Sequence, residues 1–534
     1  MLTFSPTEPV EIKLKGKIGQ DFLIIRSRHN KSSYKLPIFR KKNIHTVRFW
    51  AQKEGEYFYF LAGKKHIFKV RIYRGRNQLI LNGPLITKAN YLTFANHEPL
   101  FPLIDTWWYG LSIRTKWSDF VRLVKKRKKQ GFNMVMMVVG IPPEIEVFSP
   151  YAGNEGGQFL NKKGKINDQY FIEVDKKVKY LVDNGIIPML LGGWGWQISV
   201  LGLPVIKKIW REIVSRYHAW PVIFCLCGEA DLLKTPVEEN LEQNQTYRQL
   251  KKLIFKSASI YKIAKLFRGL SQNNKNLHHQ VSQWNKIGGY VKDLLPSPRL
   301  LTVHVHQPKT AMEIFSDPFW LDINTIQSGH SWHNAGFMVE TILKHSSGNR
   351  LFINLEPWYE QILGRFGADK QRYAFWLSVL SGAKGFAYGA NGIWQMSKKG
   401  ENFLSHWGKA DWQKALSYPG ATQIGLGKKY LKQFSWWNIK PLEEVIFPHW
   451  EKDHLQYPLA ASLGKEFLMV YFPSVKTKNY RINFSKASNY SFFWISPLTL
   501  KTIQTDNHSG KIENIHVPER TLNSDLLLVV KKGQ

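Results

Sequence analysis

The sequence has 534 residues, of which 43% are hydrophobic and 14% aromatic, and this length predicts about two to four domains with sizeable cores. Lys and Arg outnumber Asp and Glu by 75 to 40, so the net charge of +35 favours anionic partners such as nucleic acid, acidic glycans or membrane surfaces. The two cysteines, Cys225 and Cys227, are two residues apart, which excludes a disulfide-stapled scaffold.

The first ten residues carry neither the basic region nor the apolar core of a signal peptide, so a cytoplasmic location is the default expectation. The longest apolar stretch, residues 186–206, contains four glycines and two prolines, and we expect a buried strand and an apolar loop there rather than a membrane span. Basic residues occur throughout, and the densest run, Lys125 to Lys129, fits the solvated face of an amphipathic helix. We therefore expect no nucleic-acid partner.

Residues up to about 85 form short runs rich in β-branched and aromatic residues, separated by turn-forming residues such as Gly55 and Gly63. The predicted strands are Val10–Leu14, Ile44–Trp50, Tyr57–Leu61 and Ile67–Tyr73. This pattern predicts a small β-sandwich in residues 1–88.

From about residue 99 to residue 433, short apolar runs alternate with helical patterns, which is typical of parallel βα units. The eight runs are Leu100–Asp105, Phe132–Val139, Ile187–Leu191, Val222–Gly228, Leu300–His306, Leu321–Gln327, Leu351–Leu355 and Gly385–Gly389. Two of the predicted helices, over Tyr247–Gly269 and Val281–Leu294, follow the fourth run. This count predicts a closed (β/α)8 TIM barrel in residues 89–434, and the glycine-rich fingerprint of a doubly wound dinucleotide fold does not follow the first run.

After residue 435 the strand pattern returns. The predicted strands are Ala460–Leu463, Phe467–Tyr471, Tyr480–Phe484, Tyr490–Ile495 and Leu526–Val530. They predict a β-sandwich in residues 435–534. The predicted fold class is therefore α/β, a TIM barrel flanked by N-terminal and C-terminal β-sandwich domains.

In a TIM barrel the active site lies at the C-terminal ends of the strands. Glu229 follows the fourth predicted strand, and Glu356 follows the seventh. Side-chain alternation places Glu229 on one face with Cys225 and Cys227, and it places Glu356 on one face with Asn354 and Phe352, so both carboxylates can point inward. Such a pair suits glycoside hydrolysis, in which one acid protonates the leaving oxygen and one carboxylate attacks or activates water.

Other ionisable residues near strand ends allow alternatives. Asp105 suits either a sugar hydroxyl or a structural role, whereas Asp231 and Glu360 lie past their strands, where solvent-exposed pairing is expected. His304, His306 and His330 could together hold a metal ion, but no HExxH-type spacing supports such a site. We expect no metal or other cofactor, and no G-x-S-x-G elbow indicates a serine nucleophile.

Aromatic and polar side chains at the other strand ends are candidates for binding sugar rings, because aromatic faces stack on the apolar faces of sugars. The candidate substrate-binding residues are Asp105, Trp107, Trp108, Trp194, Trp196, His306, His330, Tyr359 and Tyr388.

A series of longer blocks runs through the barrel region: FPLIDTWW, KKQGFNMVMMVV, DQYFIEVDKKVKYLVDNGIIPMLLGGWGW, VSRYHAWPVIFCLCGEAD, NTIQSGH, INLEPWYE and SGAKGFAYGANGIW. In these blocks the chain resembles the apiosidase-like glycoside hydrolases, the family of an apiosidase that trims a pectin side chain. The resemblance implies an N-terminal β-sandwich, a C-terminal collagen-binding-type β domain and a retaining mechanism, with Glu229 as acid/base and Glu356 as nucleophile. The family usually has Gly-Gly-Asp where this chain has Cys227-Gly228-Glu229, and Glu is one methylene longer than Asp.

The first hypothesis is therefore a retaining glycosidase with a carbohydrate substrate, and the positive charge favours an acidic glycan. The alternative is a catalytically inactive carbohydrate-binding barrel, for which the two carboxylates would face apart. Nucleic-acid binding ranks third because the basic residues are spread along the chain rather than gathered in one run. The sequence gives no indication of the oligomeric state.

Overall fold

The computed structural model describes residues 2–4, 8–15, 18–29, 32–51, 53–71, 77–233, 275–442, 445–483, 488–510, 512–518, 521 and 523–533. The predicted helix over residues 247–269 lies outside these described residues.

The centre of the structure is a sheet of eight parallel strands, which confirms the predicted barrel. In chain order, barrel strands 1 to 8 are Leu103–Thr106, Met134–Val138, Ile187–Leu191, Ile223–Cys225, Leu301–Thr302, Ile323–Gln327, Leu351–Glu356 and Phe386–Tyr388. Each strand pairs with its neighbours in sequence except strands 5 and 6, which are the two ends of the sheet order, and strand 1 pairs with strand 8. Helices cover the outside, so the strands are buried on both faces and appear in the sequence as continuous apolar runs.

The ring closes between strands 5 and 6, the two ends of the sheet order. There the backbone N–H of Asp322 donates to the carbonyl of Leu301 at 2.9 Å. Two threonine hydroxyls add to this seam: Thr302 donates to the carbonyl of Ile323 at 2.8 Å, and Thr325 donates to the carbonyl of Val303, directly after strand 5, at 2.6 Å. Side-chain hydroxyls therefore add hydrogen bonds between strands 5 and 6, where the two-residue strand 5 offers few backbone hydrogen bonds.

The main helices around the barrel are Trp117–Lys129, Asp168–Asp183, Gln197–Tyr217, Lys275–Leu294, Ala311–Phe315, Ala335–Ser346, Ala368–Leu380, Trp412–Ala415 and Pro419–Leu431. The apolar loop predicted after strand 3 is wrong, because the helix already begins at Gln197 and contains a kink at Gly202, whose φ is +73°. The first turn of this helix was not predicted because Gly202 and Pro204, which usually interrupt helices, follow it in the sequence. After strand 8 the chain forms two helices, Trp412–Ala415 and Pro419–Leu431, with Pro419 in the first turn of the second helix.

The N-terminal residues form two facing sheets, as predicted for a sandwich. The five-stranded sheet contains Leu2–Phe4, Phe22–Ser27, Ser33–Pro37, Gly55–Leu61 and Lys64–Val70, and the three-stranded sheet contains Val10–Leu14, Phe39–Lys41 and Ile44–Phe49. Between them lies a separate core that includes Leu23, Ile25, Val47 and Phe68. A further three-stranded sheet of Leu85–Lys88, Tyr91–Phe94 and Pro99–Leu100 leads into the barrel.

The C-terminal residues form a six-stranded and a three-stranded sheet. Their strands are Ile439–Leu442, Leu459–Leu463, Phe467–Phe472, Leu526–Lys532, Ser488–Ile495 and Thr502–Gly510 in the first, and Ile446–Phe447, Asn479–Ile482 and Asn514–His516 in the second. Along Phe467–Phe472, Met469 and Tyr471 pack on the barrel core, whereas Leu468 and Val470 face the second sheet. The strand Phe467–Phe472 is therefore buried on both faces, which explains its continuous apolar sequence.

The residue boundaries of the three predicted domains stay a prediction. In the part of the chain that the structure describes, no helix is both long enough and apolar enough to cross a membrane.

Candidate active site

Glu356 ends barrel strand 7 and points into the barrel mouth because of a β-bulge. Asn354 pairs with Ile326 of strand 6, but Glu356 pairs with the next residue, Gln327, so Leu355 is the extra residue. A bulge of this kind re-aims the side chain that follows it. The backbone N–H of Ser328 then donates to the carbonyl of Glu356 at 2.8 Å and holds the strand end in place.

The bulge also corrects the predicted shared face of Phe352, Asn354 and Glu356. Phe352 stacks on His345 of the helix Ala335–Ser346, and the Asn354 amide donates to Ser378 of another outer helix. Both side chains therefore face the helical layer, outside the barrel. Glu356 faces inward only because Leu355 breaks the alternation.

Glu229 lies four residues beyond strand 4, in a backbone conformation that non-glycine residues rarely adopt, with φ of +44°. The preceding Gly228 bridges to Trp194 at the end of strand 3. A Cβ on Gly228 would lie 2.3 Å from the Trp194 ring, so only glycine lets the indole cross here. The indole Nε1 of Trp194 then donates to Oε2 of Glu229 at 3.0 Å, which ties the carboxylate to the barrel mouth.

Gln327, at the end of strand 6, joins the two carboxylates. Its amide Nε2 donates to Oε1 of Glu229 at 3.1 Å and to Oε1 of Glu356 at 2.8 Å. Because both bonds share one nitrogen atom, their lengths keep the two Oε1 atoms within about 6 Å of each other. The side chains of Glu229 and Glu356 therefore converge on one space.

Glu356 is surrounded by hydrogen-bond donors. Nε2 of His330 lies 3.0 Å from its Oε1, Nε2 of His304 lies 3.2 Å from its Oε2, and the hydroxyl of Tyr359 donates to Oε2 at 2.6 Å. Burial by itself raises the pKa of Glu356, but the two imidazoles outweigh it and hold that pKa well below its usual range. The carboxylate is therefore kept ionised.

His304 has a defined hydrogen-bonding role between the two glutamates. The backbone N–H of Glu229 donates to Nδ1 of His304 at 3.4 Å, so Nδ1 acts as an acceptor. Nε2 of the same ring lies 3.2 Å from Oε2 of Glu356. His304 thus connects the backbone of one glutamate to the carboxylate of the other.

Glu229 has the opposite surroundings. Burial and the negative charge of Glu356 both raise the pKa of Glu229, and the hydrogen bonds from Trp194 and Gln327 offset this only in part. Its side chain is partly exposed, whereas Glu356 is 4% exposed. The mouth thus contains one carboxyl group that favours the protonated form and one that favours the ionised form.

Aromatic side chains enclose this pair. The indole of Trp108 donates to the Tyr359 hydroxyl at 3.0 Å, and its ring lies 5.2 Å from that of Trp194 in an edge-to-face contact. Tyr359 reaches this position across Gly389, where a Cβ would come within 2.0 Å of its ring. Trp108, Trp194, His330 and Tyr359, four of the predicted binding residues, therefore lie together around the carboxylates.

An outer wall continues from His330 to Trp407, whose rings lie 5.5 Å apart. Trp407 belongs to the loop after strand 8 and is partly exposed. Its indole donates to Oε1 of Glu144, from the loop after strand 2, at 2.6 Å, and Nε2 of His406 lies 2.7 Å from the other Glu144 oxygen. Glu144 therefore fixes the indole plane at the rim of the site.

Sequence reasoning did not select Gln327 or Trp407 as site residues, and it considered His304 only as a possible metal ligand. Gln327 ends a predicted strand, and His304 lies two residues before the end of another. Their positions near the C-terminal ends of strands could therefore have marked them as site residues. Trp407 lies far into a long loop, and nothing in its sequence surroundings distinguishes it from a packing residue.

The structure corrects the predicted sugar-binding role of three residues, Asp105, Trp107 and Tyr388. Their side chains contact other buried side chains and do not line the barrel mouth. Asp105 is completely buried and accepts from the indole of Trp107 at 2.5 Å and from Nε of Arg127 at 2.6 Å. Arg127 belongs to the outer helix Trp117–Lys129 and also lies over the Tyr388 ring, at 5.3 Å from its centroid. This network lies between the strands and the helices, which argues against contact with substrate.

Glu360 and Asp231 are also buried, which corrects the predicted solvent-exposed pairing. Glu360 accepts from the Tyr388 hydroxyl at 2.6 Å and from the backbone N–H of Gly420 at 3.1 Å. Asp231 accepts from the backbone N–H of His306 at 2.6 Å, and burial raises the pKa of Asp231 to about 7.

Two further predicted binding residues, Trp196 and His306, follow strands 3 and 5 of the barrel. Trp196 is buried and directly precedes the helix Gln197–Tyr217, and Nδ1 of His306 lies 2.7 Å from the carbonyl of Gln307. Their role in sugar binding stays a prediction. Among the described residues, no group of three or more His, Cys, Asp and Glu side chains is placed to hold a metal ion.

A TIM barrel with two converging carboxylates in an aromatic mouth is the architecture of barrel glycosidases. The sequence model of the apiosidase-like catalytic domain matches residues 87–438, more than half of the chain. The chain therefore belongs to the apiosidase-like family, and it is a glycosidase. A search of curated protein sequences finds no match.

Similar solved structures agree with this fold. One is a glycoside hydrolase with 19% identity and a TM-score of 0.65, covering 84% of this chain and 97% of that chain. A glycoside hydrolase family 5 structure from Bacteroides vulgatus has 22% identity and a TM-score of 0.65, with 84% and 93% covered. Another Bacteroides vulgatus protein, described as a candidate glycoside hydrolase, has 12% identity and a TM-score of 0.67 over both whole chains. At these identities the similarity shows the fold alone.

Proposed function

We propose that the protein hydrolyses a glycosidic bond with retention of configuration, with Glu356 as nucleophile and Glu229 as acid/base. The observation that carries the proposal is the shared donor Gln327, which keeps one oxygen of each carboxylate within about 6 Å of the other. Retaining glycosidases place their carboxyl groups about 5 to 5.5 Å apart, and inverting ones about 6.5 to 9.5 Å. Convergence on one space also supports catalysis over a barrel that only binds sugar.

The electrostatics support the same division of roles. An Oε of Glu356, ionised at neutral pH, attacks the anomeric carbon while the glycosidic C–O bond breaks. Glu229, whose pKa is raised, gives its proton to the leaving oxygen. In the second step Glu229 takes a proton from water, the water oxygen attacks the anomeric carbon, and the bond to Glu356 breaks.

The extra methylene of Glu229, relative to the family's usual Asp, is compatible with this role. The left-handed backbone at Glu229 and the indole donor of Trp194 fix where the longer side chain ends. Gln327 then holds the same carboxylate from the opposite strand. We infer that this backbone conformation compensates for the longer reach and sets the distance to Glu356.

The substrate is proposed to be an acidic glycan, because the net charge of +35 concentrates anionic polymers around the protein. The experiment is a turnover screen over neutral and acidic glycans, followed by proton NMR of the first product formed. Release of sugar with the anomeric configuration of the substrate supports the proposal. Release of the opposite anomer, or no turnover of any glycan, contradicts it.

A further inference from the structure

The far face of the N-terminal sandwich has an unusual composition for a surface. The three-stranded sheet of the sandwich packs against the barrel. Its Arg48 is 2% exposed and forms an ion pair with Asp175 of an outer barrel helix at 2.6 Å. The five-stranded sheet faces the other way. Its inward positions, such as Leu23 and Ile25, fill the core, so its outward positions are expected to be polar.

Instead, the outward positions alternate between basic and apolar side chains. Strand pairing places Lys35 beside Ile24, and Phe60 beside Lys65. Since Ile25 pairs with Tyr59, the neighbouring position Ile24 lies opposite Phe60, so the four side chains form one row across the sheet. Ile24 is 46% exposed and Phe60 is 50% exposed, and both lysines are exposed.

A second row lies beside the first. Arg26 pairs with Phe58, and Phe58 pairs with Ile67. The rings of Phe58 and Phe60 have their centroids 5.9 Å apart, and Nζ of Lys65 lies 4.4 Å from the Phe58 centroid. We call these seven residues the outer face: Ile24, Arg26, Lys35, Phe58, Phe60, Lys65 and Ile67.

The N-terminal part of the chain, residues 1–88, has a large positive net charge. Residues 1–88 contain 19 Lys and Arg and 5 Asp and Glu, so they carry 14 of the 35 net positive charges in less than a fifth of the sequence. The basic residues are spread along the whole chain, but their surplus is densest here. Such a charge repels a second copy of the same face and attracts a polyanion.

We propose that the outer face binds the extended chain of an acidic polysaccharide and holds it beside the barrel. A polymer of acidic sugars presents carboxylates and apolar C–H faces along its length, so one ligand can pair with the lysines and stack on the two phenylalanines. A bilayer would instead require the apolar side chains to project beyond the basic ones, and a nucleic acid would first have to unstack its bases. The inference deepens the proposed function by giving the barrel's substrate class a second binding surface.

The test is affinity electrophoresis of the full-length protein in gels containing polygalacturonate. Matched gels contain the methyl-esterified polymer, dextran sulfate or polyuridylate. We expect polygalacturonate to retard the protein most and its esterified form to retard it least, with the retardation decreasing as salt rises. This readout does not require turnover, so failure of hydrolysis and failure of the surface are distinguishable.

Two double variants locate the binding. Phe58→Ala with Phe60→Ala removes the rings, and Lys35→Gln with Lys65→Gln removes the charges while keeping the apolar framework. Each should lower the affinity for polygalacturonate about tenfold, with unfolding temperatures close to that of the unchanged protein.

The matched controls are Lys64→Gln, on the same strand but in the opposite orientation, and Phe319→Ala, an aromatic residue that is 74% exposed on the barrel. Neither should change the affinity. The proposal is overturned if the unchanged protein is not retarded, if either double variant binds as tightly as the controls, or if dextran sulfate or polyuridylate binds as well as polygalacturonate. Binding to anionic lipid vesicles that the double variants abolish, without polygalacturonate binding, would also overturn it.

Discussion

The strand-7 side and the strand-4 side of the barrel mouth contain the same functional group in opposite surroundings. On the strand-7 side, two imidazoles and a tyrosine hydroxyl face Glu356 and lower its pKa. On the strand-4 side, Glu229 has an indole and a shared amide as donors, and burial together with the charge of Glu356 raises its pKa. Two glutamates that share one amide donor thus have their pKa values shifted in opposite directions by their surroundings.

The largest effect is expected from Glu356→Ala. Because this variant lacks the carboxylate proposed to form the covalent bond to the sugar, kcat should fall by about 10⁴-fold or more on any substrate that the protein hydrolyses. Thermal unfolding should still show a cooperative transition at a temperature near that of the unchanged protein. Activity within about tenfold of the original would show that the strand-7 side does not supply the nucleophile.

Glu229→Ala should lower kcat by about 10²- to 10⁴-fold on a substrate with a poor leaving group. An aryl glycoside with a good leaving group needs no protonation, so its first step should be spared and the second step should become limiting. Added azide should then restore turnover and yield a glycosyl azide of retained configuration. A variant that azide does not rescue on this substrate would place the acid/base elsewhere.

The pH profile should separate the two sides directly. The nucleophile must be ionised, so activity falls as the pH drops through the lowered pKa of Glu356; the acid must be protonated, so activity also falls as the pH rises through the raised pKa of Glu229. Glu229→Gln should abolish the alkaline limb, measured as kcat/KM on the substrate with the poor leaving group, whose first step requires the acid.

A second buried carboxyl group provides the control for this profile. Burial raises the pKa of Asp231 to about 7, but its side chain binds the backbone of His306 rather than Gln327. Asp231→Asn should therefore keep the alkaline limb. If Asp231→Asn removes the alkaline limb and Glu229→Gln keeps it, the acid/base is Asp231 and not Glu229.

The smallest effect is expected at the rim. Trp407→Ala removes an indole that Glu144 holds beside His330, so KM should rise about fivefold to tenfold while kcat changes little. Trp407→Phe should recover part of the loss because a ring remains. A fall in kcat without a change in KM would instead show that Trp407 acts by positioning His330.

The sequence predicted the eight barrel strands because parallel strands covered by helices appear as unbroken apolar runs. It also placed Glu229 and Glu356 at strand ends. It could not show which way each strand-end residue points: Asp105 and Tyr388 are paired neighbours that both face the helix of Arg127. Strict alternation predicted the correct inward orientation of Glu356, but the reasoning was wrong. A β-bulge that the sequence pattern does not indicate turns this side chain inward.

Residues that act through contacts between distant segments were harder still to predict. Gln327 becomes important only because strands 4 and 7 both bring a carboxylate to its amide. Trp407 becomes a wall of the site only because Glu144, more than 250 residues earlier, accepts its N–H. Such roles depend on tertiary geometry, which composition and periodicity do not contain.

The most direct test of the central assignment is peptide mass mapping of the Glu229→Ala variant after a short incubation with the activated substrate and an acid quench. Without its base, the second step is slow, so the sugar should accumulate as an ester on the peptide that contains Glu356, and fragmentation should locate it on that residue. A mass increase on any other residue, or fast product formation with no adduct at all, would contradict the account.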